Sequence, residues 1–566
     1  MDDNIRVGVF FCGCGGSITG KVDYEPIIAE IKKLPQVEYV RDSQNLCAHL
    51  ERELIIKEIG QNRLNRMVIV GCGGSPEEGI FKDALTKAGL NSHLLSMVNL
   101  LDECCAVRKK TSLSSAKALE MIRMGVARAA NLEEVSFGEI PVNRTILVIG
   151  SGLAGMETAL ATAARGFKVI LVEKEDKLGG RLARINSIIG TDRKPVELLD
   201  EKVQAVTSNP AIVIMTGTKL VDINGDVNGG IGNFTAWLAK DGTETPVAVG
   251  AVVIATGVQT IFCPVKYGLG IADNIIGQMK LERLLADGKR FTRKRISMVI
   301  GKGTEAFNLP FVLAIKNALL LRRKFDAAVN VFYTNIKVGG DNWEKIYTEA
   351  RDSGANFFKF DDSIEITANN GEITVSYDDP FLRGKIPGYY KITSDYIILP
   401  EELVPAEGTK ELAKILRLEP GPTSFFSIDN AHILPHMTSR DGIYLVGSCQ
   451  SPGFVNEIET AARAVADEIA CQLNADRVSV ELTQPYVDAA KCVVCLTCYR
   501  CCPHGAITIE HGEQFNNLYQ SAAQMNPLAC RRCGICAAEC PGKAIQLPDY
   551  TDNQILARLE AMEVQP

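Results

Sequence analysis

The chain has 566 residues, a net charge of −7 and 46% hydrophobic residues. That length holds several domains and more than one buried core, and its mild acidity lacks the basic footprint of a nucleic-acid binder. No apolar run approaches the ~20 residues of a membrane-spanning helix, and MDDNIR leads into a short strand with no signal peptide, so the expected location is the cytoplasm.

Six of the 18 cysteines precede residue 106 and nine follow residue 491. In a large chain without an export signal, cysteines clustered at short spacings point to metal ligation, not disulfides. Residues 1–130 read as a small α/β domain rich in cysteine. Strand Val7–Phe11 runs into Cys12-Gly-Cys14-Gly-Gly-Ser17, and strand Met67–Val70 into Gly71-Cys72-Gly-Gly-Ser75, so CGGS recurs after two strands. Ligands of open α/β sheets bind at such carboxyl ends. Cys47, Cys104 and Cys105 complete the set, with buried structural thiols as the alternative. Cys72, Cys104 and Cys105 also form the first half of a pattern seen in cysteine-rich disulfide-reducing subunits, but no CxxC follows. Residues 111–132 read as a helical linker.

The stretch from Arg144 to Arg181 reads as strand, glycine turn, helix and strand. Gly150-Ser-Gly152-Leu153-Ala154-Gly155 is the turn and Glu173 ends the second strand. Gly150 makes the tight bend, Gly152 admits a diphosphate, and Gly155 lets helix and strand pack closely. The diphosphate then meets a helix N-terminus, where unpaired N–H groups favour negative charge. Glu173 is placed to accept both hydroxyls of an adenosine ribose. Glu173-Lys174 followed by Gly179-Gly180-Arg181 is similar to the pattern of two-dinucleotide-binding-domain flavoproteins, in which the first site holds FAD. Ala251 to Gly257, ending Ala255-Thr256-Gly257, resembles the ATG turn of that family, and Gly442 to Gly447 its last flavin-binding strand.

Between these, Ile212–Met215 and Asn233–Leu238 are expected to belong to the β-meander such proteins carry. Gly301-Lys-Gly303-Thr-Glu-Ala306 looks like a second glycine turn, opening a helix from Leu309 to Arg322. The next strand, Val329–Tyr333, ends in Thr334-Asn335, with neither an acid for NAD nor an arginine for NADP. The second domain is therefore expected to keep the fold as a docking surface. Pro400-Glu401-Glu402 stands where relatives close with another ATG. Gly447-Ser448-Cys449-Gln450 takes the place of their Gly-Asp, so Ser448 would hold a ribityl hydroxyl neutrally. A helix from Glu457 to Leu473 would aim its positive end at the isoalloxazine. Cys449 lacks a CxxC partner, and His436 and His49 read as structural. The implied segments are 131–290 with 395–475 for FAD and 291–394 for the NAD(P)-binding-like domain.

Residues 476–566 carry the most specific signal. Cys492, Cys495, Cys498 and Cys502-Pro503 are followed by Cys530, Cys533, Cys536 and Cys540-Pro541, each run with bacterial ferredoxin spacing. In that pattern the fourth cysteine of each run ligates the other cluster. One [4Fe–4S] cluster is thus expected on Cys492, Cys495, Cys498 and Cys540, the other on Cys530, Cys533, Cys536 and Cys502. Cys501 is extra.

Taken together, the initial CGCGG, the short FAD body, GSCQSP near its end and the terminal double-cluster ferredoxin resemble the A subunit of CoB–CoM heterodisulfide reductase and its relatives. The resemblance covers essentially the whole chain. It implies an α/β architecture of three parts: the cysteine-rich domain, a thioredoxin-reductase-like double dinucleotide-binding flavoprotein body, and a double-cluster ferredoxin. It implies an oxidoreductase of anaerobic electron transfer in which a flavin splits or merges electron pairs. A third [4Fe–4S] cluster is implied in the N-terminal domain on four of Cys12, Cys14, Cys47, Cys72 and Cys104. Implied partners are cysteine-rich disulfide-reductase-like subunits, ferredoxin, and hydrogenase- or dehydrogenase-type donors, in a dimer of hetero-oligomers. Larger members have a second ferredoxin inserted in the flavin domain, and a cysteine after the strand corresponding to Met298–Ile300. This chain has neither, so its final substrate stays open. A self-contained NAD(P)H dehydrogenase with a fused ferredoxin and a non-bifurcating electron relay remain alternatives.

Overall fold

The computed structural model describes residues 5–73, 75–107, 112–223, 229–301, 306–340, 342–361, 364–369, 371–380 and 390–562. The chain forms two compact units. One comprises Met1–Gly138, Ser479–Cys502 and Ala506–Pro566, the other Glu139–Val478 and Pro503–Gly505. The segments 1–130 and 476–566, set apart in the sequence, therefore share one unit.

In the first unit, Val37–Ser43, Val7–Cys12, Arg66–Gly71 and Leu95–Asn99 form a parallel sheet in that order. Side chains alternate along a strand, and helices cover both faces. Val7, Val9 and Phe11 pack with Ile27 and Ile122, while Phe10, Met67 and Ile69 pack with Ile55 and Phe81. Connections leave the two central strands in opposite directions, which opens a crevice at their carboxyl ends. CGCGG and GCG follow those two strands. The ferredoxin segments add two short antiparallel pairs, Ile507–His511 with Ser521–Met525 and Tyr486–Val487 with Ile545–Gln546. The terminal helix Asp552–Glu560 packs on helix Ser112–Ala130. There Gln554 Nε2 donates to Asn131 O at 3.0 Å, and the Arg128 guanidinium lies 5.4 Å from the Tyr550 ring centre.

The second unit repeats one architecture twice. Ile443–Leu445, Ala251–Ile254, Thr145–Ile149, Lys168–Val172 and Ile212–Met215 form a five-stranded parallel sheet. Helices Leu153–Ala163 and Val455–Leu473 cover one face and an antiparallel meander of Thr218–Ile223, Phe234–Lys240 and Thr243–Val249 the other. Ile212–Met215 thus belongs to the parallel sheet, not the meander. It pairs with Lys168–Val172 as the sheet's edge, where a short apolar run can sit without alternation. The second copy has Ile275–Gly277, Tyr396–Leu399, Arg295–Ile300, Ala328–Tyr333 and Asn356–Lys359 in order, with its own meander of Ile364–Asn369, Glu372–Tyr377 and Tyr390–Ser394. Its sheet therefore extends outside 291–394 on both sides, because Ile275–Gly277 pairs with Tyr396–Leu399. Among the described residues no helix is long and apolar enough to cross a membrane.

A buried ion pair of the second copy meets the backbone of the first at Asn186 and Ser187. Lys316 Nζ lies 2.6 Å from Glu282 Oε1, and Glu282 Oε2 accepts the Asn186 N–H at 2.8 Å. Glu282 is fully buried and Lys316 nearly so, and burial pushes the lysine pKa down. Removing one partner of such a pair strands a charge, at a cost of about 3–5 kcal/mol. Glu282→Ala should lower unfolding free energy by about that amount in denaturant titration, and Glu282→Leu with Lys316→Met should recover most of it.

Candidate flavin and iron–sulfur sites

The first dinucleotide turn is built by close backbone approach. A Cβ on Gly155 would sit 1.8 Å from Gly150 O, and one on Gly150, at φ +103°, would sit 2.6 Å from Ala255 O. Gly152 is different: a Cβ there meets no protein atom within 4 Å. The space above it is the cradle a diphosphate needs, at the N-terminus of Leu153–Ala163. Gly180 lies over the same turn, its Cβ position 3.2 Å from Gly152 Cα, and Gly447 backs onto Ala154 from the other side.

Glu173 Oε2 accepts from Ser151 N at 2.8 Å and from Ser151 Oγ at 2.7 Å, while Oε1 accepts the Glu175 N–H. A carboxylate has about four acceptor sites, so capacity remains for a ribose hydroxyl. Thr256 Oγ1, in the turn between Ala255 and Gly257, is buried and has no hydrogen-bond partner among the described residues. An orphaned hydroxyl beside an open cradle fits a polar ligand. Ser448 Oγ accepts the Gly453 N–H at 3.4 Å. The following helix begins at Val455, two residues before Glu457, and Glu457 Oε2 accepts the Phe454 N–H at 2.9 Å. That N-terminus therefore already holds one anion. The Cys449 thiol donates to Ile254 O and Val446 O, and burial pushes its pKa up to about 12. It is a structural thiol.

Lys174 Nζ lies 3.8 Å from Glu407 Oε2 at the surface. Arg181 reaches instead toward the second copy: Nη2 is 3.2 Å from Met279 Sδ, and burial depresses its pKa against the carboxylates of Glu401 and Glu282. Arg181, Gln278, Leu313 and Glu401 line a hollow of about 380 Å³. Burial raises the pKa of Glu401, which accepts the Met279 N–H at 2.8 Å. In the second glycine turn a Cβ on Gly301 would meet Thr334 Oγ1 at 2.0 Å, and residues 302–305, including Gly303, lie outside the described residues.

The ferredoxin cysteines sort themselves electrostatically. Burial pushes Cys498 up to about 11, with Cys492, Cys495 and Cys540 adding to the shift. Cys536 rises to about 12 by burial, with Cys530, Cys502 and Cys533 adding. The two fields match the crossed quartets, and Cys492, Cys495, Cys498 and Cys540 line a hollow of about 400 Å³. Backbone N–H groups of Ala506, Arg532 and Ala544 donate to Cys502, Cys530 and Cys540 at 3.3–3.4 Å. Positive φ recurs at Val494 and Arg532, Leu496 and Gly534, and Gly505 and Lys543, with the same offset as the cysteines. Cys501 stands apart and donates to Cys498 O. This donor set fits two [4Fe–4S] clusters.

The N-terminal cysteines converge in part. Cys12 Sγ and Cys14 Sγ are 3.6 Å apart, and Cys14, raised first by burial, also feels Cys12 and Cys72. Cys104 and Cys105 are buried on a π-helical turn, Leu101–Ala106, a geometry frequent at functional sites. Cys104 Sγ donates to Ser114 O, whereas Cys105 acts electrostatically on Tyr24 together with Cys14 and Cys12. Cys47 is exposed. Cys12, Cys14 and Cys72 are thus brought together, and Cys47 follows Leu46, whose N–H donates to Cys12 Sγ at 3.4 Å.

Residues 144–335 match the family model of pyridine nucleotide-disulphide oxidoreductases, and residues 491–552 that of the 4Fe-4S dicluster domain. The chain is 28% identical to one of the CoB–CoM heterodisulfide reductase iron-sulfur A subunits of Methanopyrus kandleri, covering 99% of this chain and 98% of the relative. For the corresponding iron-sulfur protein of Methanocaldococcus jannaschii the identity is 27%, with 98% of each covered. Over nearly its whole length the chain is similar to heterodisulfide reductase A subunits. Like them it is an oxidoreductase. Among solved structures, the thioredoxin reductase of Lactococcus lactis is similar at 20% identity and TM-score 0.42, over 58% of this chain and 98% of that one.

Two partners escape a reading of the sequence. Ser151, the middle residue of the first glycine pair, binds Glu173, and a hydroxyl at that position was the available signal. Glu401 has only its odd place after Pro400 to mark it. Because Gly152 is open and at φ −67°, Gly152→Val fits the backbone but fills the cradle. It should lose FAD absorbance with iron unchanged. Cys14→Ser with Cys72→Ser should lower iron from about 12 to about 8 per chain, by the four-iron stoichiometry of each cluster. Visible spectroscopy and iron analysis of anaerobically purified protein check both.

Proposed function

We propose that this chain is the FAD- and iron–sulfur-containing electron-transfer subunit of a cytoplasmic, multi-subunit oxidoreductase of heterodisulfide-reductase type. The observation that carries the reading is the sorting of the eight ferredoxin cysteines into two crossed quartets within a chain that also holds an open dinucleotide cradle. When bound, FAD supplies a two-electron carrier able to exchange with one-electron clusters. The residues do the rest. Gly152 and the Leu153–Ala163 N-terminus would hold the diphosphate, Glu173 the ribose and Ser448 a ribityl hydroxyl, and Thr256 would offer a further hydroxyl. Cys12, Cys14 and Cys72, with one of Cys47 and Cys104, would hold a third cluster.

In this reading a pair of electrons from one partner is divided between two acceptors of different potential, or single electrons are merged. The partners would be cysteine-rich disulfide-reductase-like subunits, ferredoxin, and hydrogenase- or dehydrogenase-type donors, within a dimer of hetero-oligomers. Thr334 and Asn335 end the strand where a nicotinamide nucleotide's ribose would need an acid or an arginine. The isolated chain should therefore bleach its flavin with NADH far more slowly than the complex turns over. Stopped-flow mixing tests this, and full bleaching at the turnover rate would favour a self-contained NAD(P)H dehydrogenase.

A further inference from the structure

The two halves of the ferredoxin repeat share backbone geometry but not charge. Val494 and Arg532 occupy equivalent positions between the first and second cysteines of each run, both at φ +51°. One is apolar and the other carries a guanidinium. The Arg532 side chain is 9% exposed, and the residue's backbone N–H donates to Cys530 Sγ at 3.4 Å. Burial raises the pKa of the Cys530 thiol, and the Arg532 backbone N–H and positive charge act in the opposite sense. Arg532 is not alone: Nη1 lies 2.6 Å from Glu481 Oε2, and Glu481 Oε1 lies 3.0 Å from His93 Nε2. These two partners hold the Glu481 carboxyl down to about 2, so it is ionised at any working pH.

We infer that Glu481 is a positioning residue that sets the reduction potential of the cluster on Cys530, Cys533, Cys536 and Cys502 by neutralising Arg532, and so holds the two ferredoxin clusters at different potentials. Reduction adds one electron, hence one negative charge, to that group. A shielded cation beside a ligand sulfur stabilises the added charge, and a carboxylate paired with the cation offsets it. The first cluster has Val494 at this place and lacks that control. Glu481 lies at the end of strand Arg477–Glu481 and His93 just before strand Leu95–Asn99. The charge balance at the second cluster therefore depends on the N-terminal sheet packing beside it within the same unit.

The inference rests on the two-cluster reading, and the test separates the two. Full-length protein is purified anaerobically, its iron counted, and its clusters titrated by electron paramagnetic resonance against potential. Glu481→Gln should raise the midpoint of one cluster signal, shifting its reduced-to-oxidised ratio about tenfold at fixed potential, roughly 59 mV for one electron. Arg532→Gln should move the same signal downward, the double variant should return near wild type, and the other ferredoxin signal should stay in place. Glu481→Asp, which keeps the charge, should hold the wild-type midpoint. Unchanged midpoints in Glu481→Gln and Arg532→Gln at full iron, or shifts of both clusters in one direction, overturn the inference. If Glu481→Gln sheds iron, Arg532→Gln decides alone: a downward shift supports the inference and an unchanged midpoint overturns it. Wild-type protein with fewer than about 8 Fe would instead defeat the cluster reading itself.

Discussion

The close approach of helix Leu153–Ala163 to the Gly150 turn is the contact on which the flavin half depends. No side chain fits between Gly155 and Gly150 O, and that intimacy turns the helix N-terminus outward over Gly152. Every other element of the cradle is placed by it. Gly180 folds across the turn, Gly447 closes on Ala154, and Ser151 anchors Glu173. The space left over Gly152 is a consequence of tight packing around it, not of looseness.

The iron–sulfur unit solves a different problem, that of gathering thiolates where burial opposes charge. Cys498 and Cys536 are pushed upward by desolvation, so as free thiols they would stay protonated at neutral pH. Metal ligation reverses that preference. The left-handed turns at Val494, Leu496, Arg532 and Gly534 shape the loops between the ligands. Each N–H bonded to a charged sulfur contributes about 1.5–3 kcal/mol. Repetition of the same turns in both runs gives two sites of like shape, and side chains such as Arg532 then make them unlike.

Much of the fold and of both sites is legible in the residues themselves wherever the determinants are local. Ferredoxin spacing is readable because one short loop must deliver three sulfurs, and the glycine turn because each glycine answers a contact a few residues away. The Glu481 to His93 contact spans 388 residues and leaves no trace in composition or spacing. Nor does spacing tell that Cys104 and Cys105 are both buried on a single π-helical turn. Ile275–Gly277 is too short to read as a strand, and without it the limits of the second copy fall in the wrong place.

The joining of residues 1–138 with 479–502 and 506–566 makes the flavin body an insertion within an iron–sulfur unit. A ribosome delivers that unit in two instalments. At about 5–20 residues per second, the N-terminal sheet emerges tens of seconds before the segment that completes it. During that interval the surface of Ser112–Ala130 that will receive Tyr550 and Gln554 has no partner on the chain. Residues Glu139–Val478 of the flavin body leave the exit tunnel before any of the ferredoxin cysteines. Cluster delivery to them is thus a late step of biosynthesis, performed on a chain whose nucleotide cradle can already be filled.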